Sequence, residues 1–319
     1  MKFAEKILNC CFWGAVACGI CVCVFVLQGN IRAALYNIQN EKWEKSIKLQ
    51  DDYDSETESV MDFLALPTSF DLLCDTYEML IHSDKIDYQE IVFQNIEVQG
   101  TYLGEESTID GENKLRNQEI NGGIFTPLKS VQISKEVAME NEIFSLVENN
   151  FIFKENDYFF KPAKKIPVLL GDAYKKFYSV NDEFRGIYLS RNLKFVVKGF
   201  LKNNAALYVG EDKIDLNSYI VFPALNIDFK EGKSNLFYKI LYLEKVEGVI
   251  RCDSREEYKV AVKEIKSISQ STGFMYEKHL LDMYQEIELD EVVLSAGILI
   301  FLLVMLIFKI KKHYKRKEK

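Results

Sequence analysis

The chain has 319 residues and a formal net charge of -8, and that charge is unevenly spread. Residues 1–29 carry +1 and residues 309–319 carry +6, so the stretch between them carries -15. An acidic middle of this size repels nucleic-acid phosphates, which excludes nucleic acid as its partner.

The chain opens with a short charged segment, 1–6, followed by an apolar run, 7–27, from Ile7 to Leu27. About 20 helical residues cross a bilayer core, so the run is expected to be a first transmembrane helix. The other reading is a cleaved signal peptide, since the segment has a charged start and small residues at Ala15 and Ala17. Five cysteines, Cys10, Cys11, Cys18, Cys21 and Cys23, act in it as small apolar fillers. A second uncharged run, 292–308, lies between Asp290-Glu291 and a basic tail, 309–319. The positive-inside rule places the tail and Lys2 and Lys6 in the cytoplasm, leaving 28–291 outside it. The expected localisation is therefore the cell membrane, with two spans, and the lipid bilayer is an expected partner.

Between the runs the sequence reads as a mixed domain of α+β class with helical stalks. Ile31, Leu35 and Ile38 recur at helical spacing, with Trp43 and Ile47 further along, and predict the first stalk. Residues 51–58 are acidic and read as a linker, without the spacing of an EF-hand loop. Residues 62–79 are mixed, helical or irregular. Strands are expected at 91–93, 96–100, 167–170, 195–201, 219–222, 237–243 and 248–250. Asn156-Asp157 predicts a hairpin between Phe151 and Phe160, and 134–146 has helix-forming composition. Tyr258, Ala261, Val262, Ile265 and Ile268 predict an amphipathic helix, which Gly273 ends with a left-handed cap. A second stalk is expected from Tyr276 to Leu289.

The sequence carries no H-E-x-x-H pair, no G-x-S-x-G elbow and no phosphate-binding G-x-x-x-x-G-K-[ST] loop. No catalytic residue, metal or cofactor is expected, and the chain is read as not an enzyme. Asp51-Asp52, Glu105-Glu106 and Glu256-Glu257 read as solvated charge. His82 and His279 stand far apart, and His313 lies in the tail. Cys74 and Cys252 either form one disulfide in an oxidising compartment or are two unpaired buried thiols. The aromatic groups at 151–160, 177–178 and 238–242 are expected in the core, the alternative being a surface that grips a partner.

Pro167-Val168-Leu169-Leu170-Gly171, Tyr174-Lys175-Lys176-Phe177 and Val180-Asn181-Asp182-Glu183-Phe184 come in order. Phe195 to Leu201, with Gly199, and Tyr219 to Pro223 follow. This series resembles the outer domain of MacB-like ABC transporter permeases, within the FtsX-like group. Asn181 stands where that family commonly has glycine, and Asn tolerates the left-handed conformation a turn needs. The resemblance implies strand, short helix, turn, strand and a strand ending in Pro, with Gly171, Tyr174, Asp182, Phe184, Gly199 and Pro223 as its core motif. It further implies a non-catalytic permease-type component that handles or senses peptides, antibiotics or lipids. Its partners would be a separate cytoplasmic ATPase subunit and a second permease chain. Members of that family continue with two more spans, so the chain is expected to be a half permease, a truncated copy or an accessory subunit. The alternative is an anchored receptor or scaffold that binds a partner without transport.

Overall fold

The structure, a computed structural model, describes residues 24, 28, 45–53, 58–120, 122–210, 212–227, 235–277, 298, 300–302 and 304. The chain divides into two compact units, one of residues 1–43 with 282–319 and one of residues 44–281. The second unit holds every strand and helix given a range below.

Its elements begin with β1 (Ser46–Lys48), α1 (Glu58–Ala65) and α2 (Ser69–His82). Strands β2 (Asp87–Gln89), β3 (Ile91–Phe93), β4 (Ile96–Gln99), β5 (Gln118–Ile120), β6 (Gly123–Leu128) and β7 (Ser130–Ile133) follow. After α3 (Lys135–Glu140) come β8 (Ile166–Leu170), β9 (Glu183–Tyr188), β10 (Arg191–Phe200), β11 (Ala206–Val209), β12 (Asp212–Asp215) and β13 (Ile220–Pro223). The unit closes with α4 (Leu236–Val246), β14 (Val249–Arg251) and α5 (Arg255–Thr272).

A nine-stranded mixed sheet has the order β3-β7-β13-β8-β10-β9-β4-β6-β5. Its parallel pairs are β8 with β10 and β7 with β13, the latter in register Val221↔Val131. β7, β8 and β13 are buried along their whole length. Strands covered on both faces read as unbroken apolar runs, and for that reason 167–170 and 219–222 are legible in the sequence. The two polar exceptions, Ser130 and Gln132 on β7, are satisfied: Ser130 Oγ donates to the Gln94 carbonyl, while Gln132 Nε2 donates to Tyr188 Oη (2.8 Å) and Gln132 Oε1 accepts from Leu225 N–H (2.8 Å). A smaller antiparallel sheet, β1-β14-β2, lies in the same unit, and α4 packs against α2.

α5 follows its sequence closely. Ser254 caps it by accepting from Glu257 N–H (3.2 Å), while the Glu257 carboxylate accepts from Asp253 N–H (2.8 Å). The five predicted apolar positions are all buried, and Gly273 ends the helix at φ 81°.

Two local expectations are corrected. Residues 237–243 form helix α4, not a strand, and Asn235 caps it by accepting from Phe237 N–H (3.0 Å). The helix is buried on nearly all sides, so its apolar run lacks the one-sided stripe that separates helix from strand. Phe151 to Phe160 is no hairpin. A 3-10 turn at Glu155–Asp157 turns the chain, and the aromatic segment pairs with Asn226: Asn226 N–H donates to the Tyr158 carbonyl (2.6 Å) and Phe160 N–H to the Asn226 carbonyl (2.7 Å).

The flanking parts of the expected fold are corrected as well. Among the described residues no helix is long and apolar enough to cross a membrane. The longest, α5, has 18 residues and carries charges at Arg255, Glu256, Glu257, Lys259, Lys263, Glu264 and Lys266. The expected α+β domain between two transmembrane helices is thus replaced by a mixed α/β domain with a large sheet, and the two-span, multi-pass localisation is not supported. The runs 7–27 and 292–308 lie almost wholly outside the described residues, as does most of each expected stalk. At the stalk ends that are described, Ile47 lies in β1 and Tyr276 forms a bridge with Asp51, so neither is helical.

Candidate functional site: a carboxyl-lined cavity

The end of β1 and the segment after it, helix α1 and helix α4 line an open cavity of about 410 Å³. Apolar walls come from Leu49, Val60, Met61, Leu64, Ile240 and Leu243. Asp51, Glu244 and Glu247 add carboxyl groups, with Tyr53, Gln50 and Lys48 beside them. Concave sites of a few hundred Å³ with apolar walls and few polar groups are the usual form of ligand pockets.

Each carboxyl is placed by its element. Glu244 lies in the last turn of α4, and Glu247 is the C-cap residue that ends it. Gln94, between β3 and β4, donates from Nε2 to both Glu244 oxygens (3.0 and 2.9 Å). Asp51 follows β1, and its backbone N–H donates to Glu247 Oε1 (3.2 Å). The Asp51 carboxylate accepts from Tyr53 N–H (2.7 Å), and the Tyr53 ring stacks on Phe63 at 4.4 Å.

Burial pushes Glu247 up to about 9, helped by its hydrogen bond to the Asp51 side chain and by the charges of Glu244 and Asp51. Burial also raises Glu244, against the opposing Gln94 hydrogen bond. Burial thus favours the protonated form of Glu247.

A buried ion pair anchors α4 from within. Lys245 Nζ contacts Glu90 Oε1, and Asn226 Oδ1 accepts from it at 2.9 Å. The Tyr77 hydroxyl donates to the other Glu90 oxygen (2.7 Å), and the ammonium sits 4.6 Å from the Tyr77 ring centroid. Burial lowers the Lys245 pKa, and Glu90 opposes that shift. Lys245 is next to Glu244 in sequence, so this pair fixes the helix that presents the cavity carboxyls.

The motif residues of the permease resemblance lie elsewhere, around β8–β10 and β13, in packing and turn positions. A Cβ at Gly171 would collide with the carbonyl oxygens of Leu216 and Asn217. Tyr174 is fully buried and donates to the Ser218 carbonyl (3.2 Å). Asn181 adopts φ 74°, and the Asp182 carboxylate accepts from Ser179 N–H (2.7 Å). Phe184 stacks on Phe195 at 5.1 Å, Gly199 sits at a register slip in β10, and Pro223 ends β13.

Cys74 and Cys252 are both buried and form no disulfide. Phe153, Tyr158, Phe160, Tyr238 and Tyr242 are core residues, whereas Phe159 and Phe177 are exposed. His82 is exposed beside Glu78 (3.0 Å), and His279 and His313 lie outside the described residues. Glu105 pairs with Lys176 (3.5 Å) and Glu256 with Lys259 (2.9 Å). Asp51 departs from the solvated reading, because its backbone is bridged to Tyr276 and its neighbours are cavity carboxyls. Among the described residues no group of three or more His, Cys, Asp or Glu could hold a metal ion.

Sequence reasoning missed the pairing of Asp51 with α4. The available signal was two glutamates and two lysines, Lys239 and Lys245, inside a mostly apolar segment, Leu236 to Ile250. No family model matches the chain, and no curated protein matches it.

Proposed function

We propose that residues 44–281 form a non-catalytic binding module whose cavity takes a ligand with a cationic group next to an apolar one, such as a basic amphipathic peptide. The observation that carries this reading is the cavity itself: apolar side chains of α1 and α4 stand beside three carboxyl groups in about 410 Å³. The apolar walls favour an aliphatic or aromatic part of the ligand, and Asp51 and Glu244 favour its positive charge. The surplus of acid across the domain attracts such a ligand from a distance. The test is calorimetric titration of the full chain with a Lys- and Leu-containing peptide and with its lysine-acetylated form. Saturable binding of the first and not of the second is expected; equal binding of both, or none, contradicts the reading.

A second reading, a component of an ATPase-driven permease complex, is favoured by one observation. From Ile166 to Pro223 the chain contains β8, a 3-10 turn, a left-handed turn at Asn181, β9 to β12 and β13 ending in Pro, a series that includes, with additional strands, the order the permease resemblance implies. In this reading the binding module is the complex's sensing part. Affinity capture of the full chain tests it: co-recovery of an ATPase subunit or a second permease chain is expected, and capture of neither contradicts it.

A further inference from the structure

We infer that residues 44–281 carry a second binding site, a cleft between the end of α3 and the β11–β12 hairpin that takes a neutral saccharide. The cleft shares no lining residue with the carboxyl cavity, so it stands independently of the binding reading above.

The cleft is open, measures about 310 Å³, and lies between two walls that are fastened to each other. Glu140, Asn141 and Glu142 belong to one wall, and Asn204, Tyr208 and Lys213 to the other. Asn141 Oδ1 accepts from Tyr208 N–H (2.8 Å), while its Nδ2 donates to the Val137 carbonyl (3.1 Å). Lys202 makes a second tie: its N–H donates to the Leu146 carbonyl (2.7 Å) and its Nζ to the Ser145 carbonyl (2.8 Å). Leu207 and Leu216 seat the hairpin side in the same buried core as Val137 and Ala138 of α3. The separation of the walls is therefore set by the fold before any ligand arrives.

The groups left open define the ligand. Tyr208 is 54% exposed. Among the described residues its hydroxyl has no hydrogen-bond partner, and neither do the side chains of Glu142, Asn204 and Lys213. Glu140 is different. Its carboxylate accepts from Gln89 Nε2 (3.0 Å) and lies 3.6 Å from Arg251 Nη1, so its charge is already answered. Glu142 and Lys213 remain as free charges of opposite sign. Glu142 also sits at φ 51°, a left-handed conformation that Asn adopts readily and Glu does not. A carboxylate is thus kept in the cleft at some backbone cost.

A sugar ring presents neighbouring hydroxyls, each both donor and acceptor, beside an apolar C–H face. Glu142 accepts, Lys213 donates and the Asn204 amide does both, so hydroxyls satisfy all of them. The flat Tyr208 ring suits the C–H face. An anion would meet Glu142 and a cation would meet Lys213, while an apolar ligand would strip water from all these groups without replacing its hydrogen bonds. The size is at the lower end of the range of about 300–1,000 Å³ for ligand sites, which suits a mono- or disaccharide.

Ligand-observed saturation-transfer NMR of the full chain tests this with cellobiose, maltose and N,N′-diacetylchitobiose, and with glutamine as a zwitterionic control. Saturable binding of at least one disaccharide and none of glutamine is expected. Tyr208→Ala removes the ring, and Asn204→Gly removes the amide while keeping the left-handed turn at φ 65°. Each should weaken that binding at least tenfold with unchanged circular dichroism, whereas Tyr208→Phe, which keeps the ring, should stay within about threefold of the wild type. Binding of no disaccharide, binding of glutamine alone, or equal affinity in the wild type, Tyr208→Ala and Asn204→Gly overturns the inference.

Discussion

Replacing Lys245 by Met leaves Glu90 buried with its countercharge gone. The two side chains are 0% and 5% exposed, so water does not take the place of the ammonium. The Tyr77 hydroxyl and its 2.7 Å hydrogen bond are the remaining support for the Glu90 carboxylate. Breaking one side of a buried pair costs about 3–5 kcal/mol, whereas replacing both sides with matched neutral groups is often close to neutral. Lys245→Met should therefore lose about 3–5 kcal/mol, and adding Glu90→Gln should restore at least about 2 kcal/mol of it. Urea unfolding of the full chain, followed by circular dichroism with a two-state fit, measures both variants and their coupling. A single-variant loss below about 1 kcal/mol, the size of an exposed pair, would refute the claim that this pair is desolvated and fixes α4.

Glycines give a contrasting pair. Gly171→Ala forces a Cβ onto two backbone carbonyls and should cost more than Gly273→Ala, which meets only the left-handed penalty of about 1 kcal/mol. Equal melting temperatures would contradict that ranking. Ser254→Ala removes the α5 cap and should lower stability by about 1 kcal/mol, with Ser254→Asp restoring it. Glu247 binds its proton more tightly folded than unfolded. Its stabilising share is thus whole below its ordinary value of 4.5 and lost as pH rises through about 9. Within that window the loss reaches at most about 1.4 kcal/mol per pH unit, and Glu247→Gln should flatten the curve of unfolding free energy against pH. A variant curve parallel to the wild type would contradict this. Cys74 and Cys252 should resist alkylation in the native chain and react only after denaturation, and native reactivity would show that their burial is incomplete.

The parts of the fold that were legible in the sequence are those where one pattern has one reading. α5 has an unambiguous stripe and a Gly273 stop, and both appear as expected; its Ser254 cap is an addition from the structure. The adjacent strands β13 and β8 are short apolar runs between breakers, which suits strands buried on both faces. α4 was misread because burial all round erases periodicity. The 151–160 segment was misread because its turn residues serve a 3-10 turn, while its pairing partner, Asn226, is far away in sequence. The cavity was invisible for the same kind of reason. Asp51 and Glu247 are 196 residues apart, and nothing local marks Asp51 as anything but part of an acidic run. The residues behind the permease resemblance occupy packing and turn positions around β8–β10 and β13, and the carboxyl cavity is built from other segments.

Ligand recognition at the α1–α4 cavity is tested most directly by titrating the full chain, wild type and an Asp51→Asn/Glu244→Gln double variant, with the Lys- and Leu-containing peptide. The account predicts saturable binding by the wild type that weakens at least tenfold in the double variant and falls with added salt. Identical affinity for both proteins, or no binding by the wild type, would contradict it.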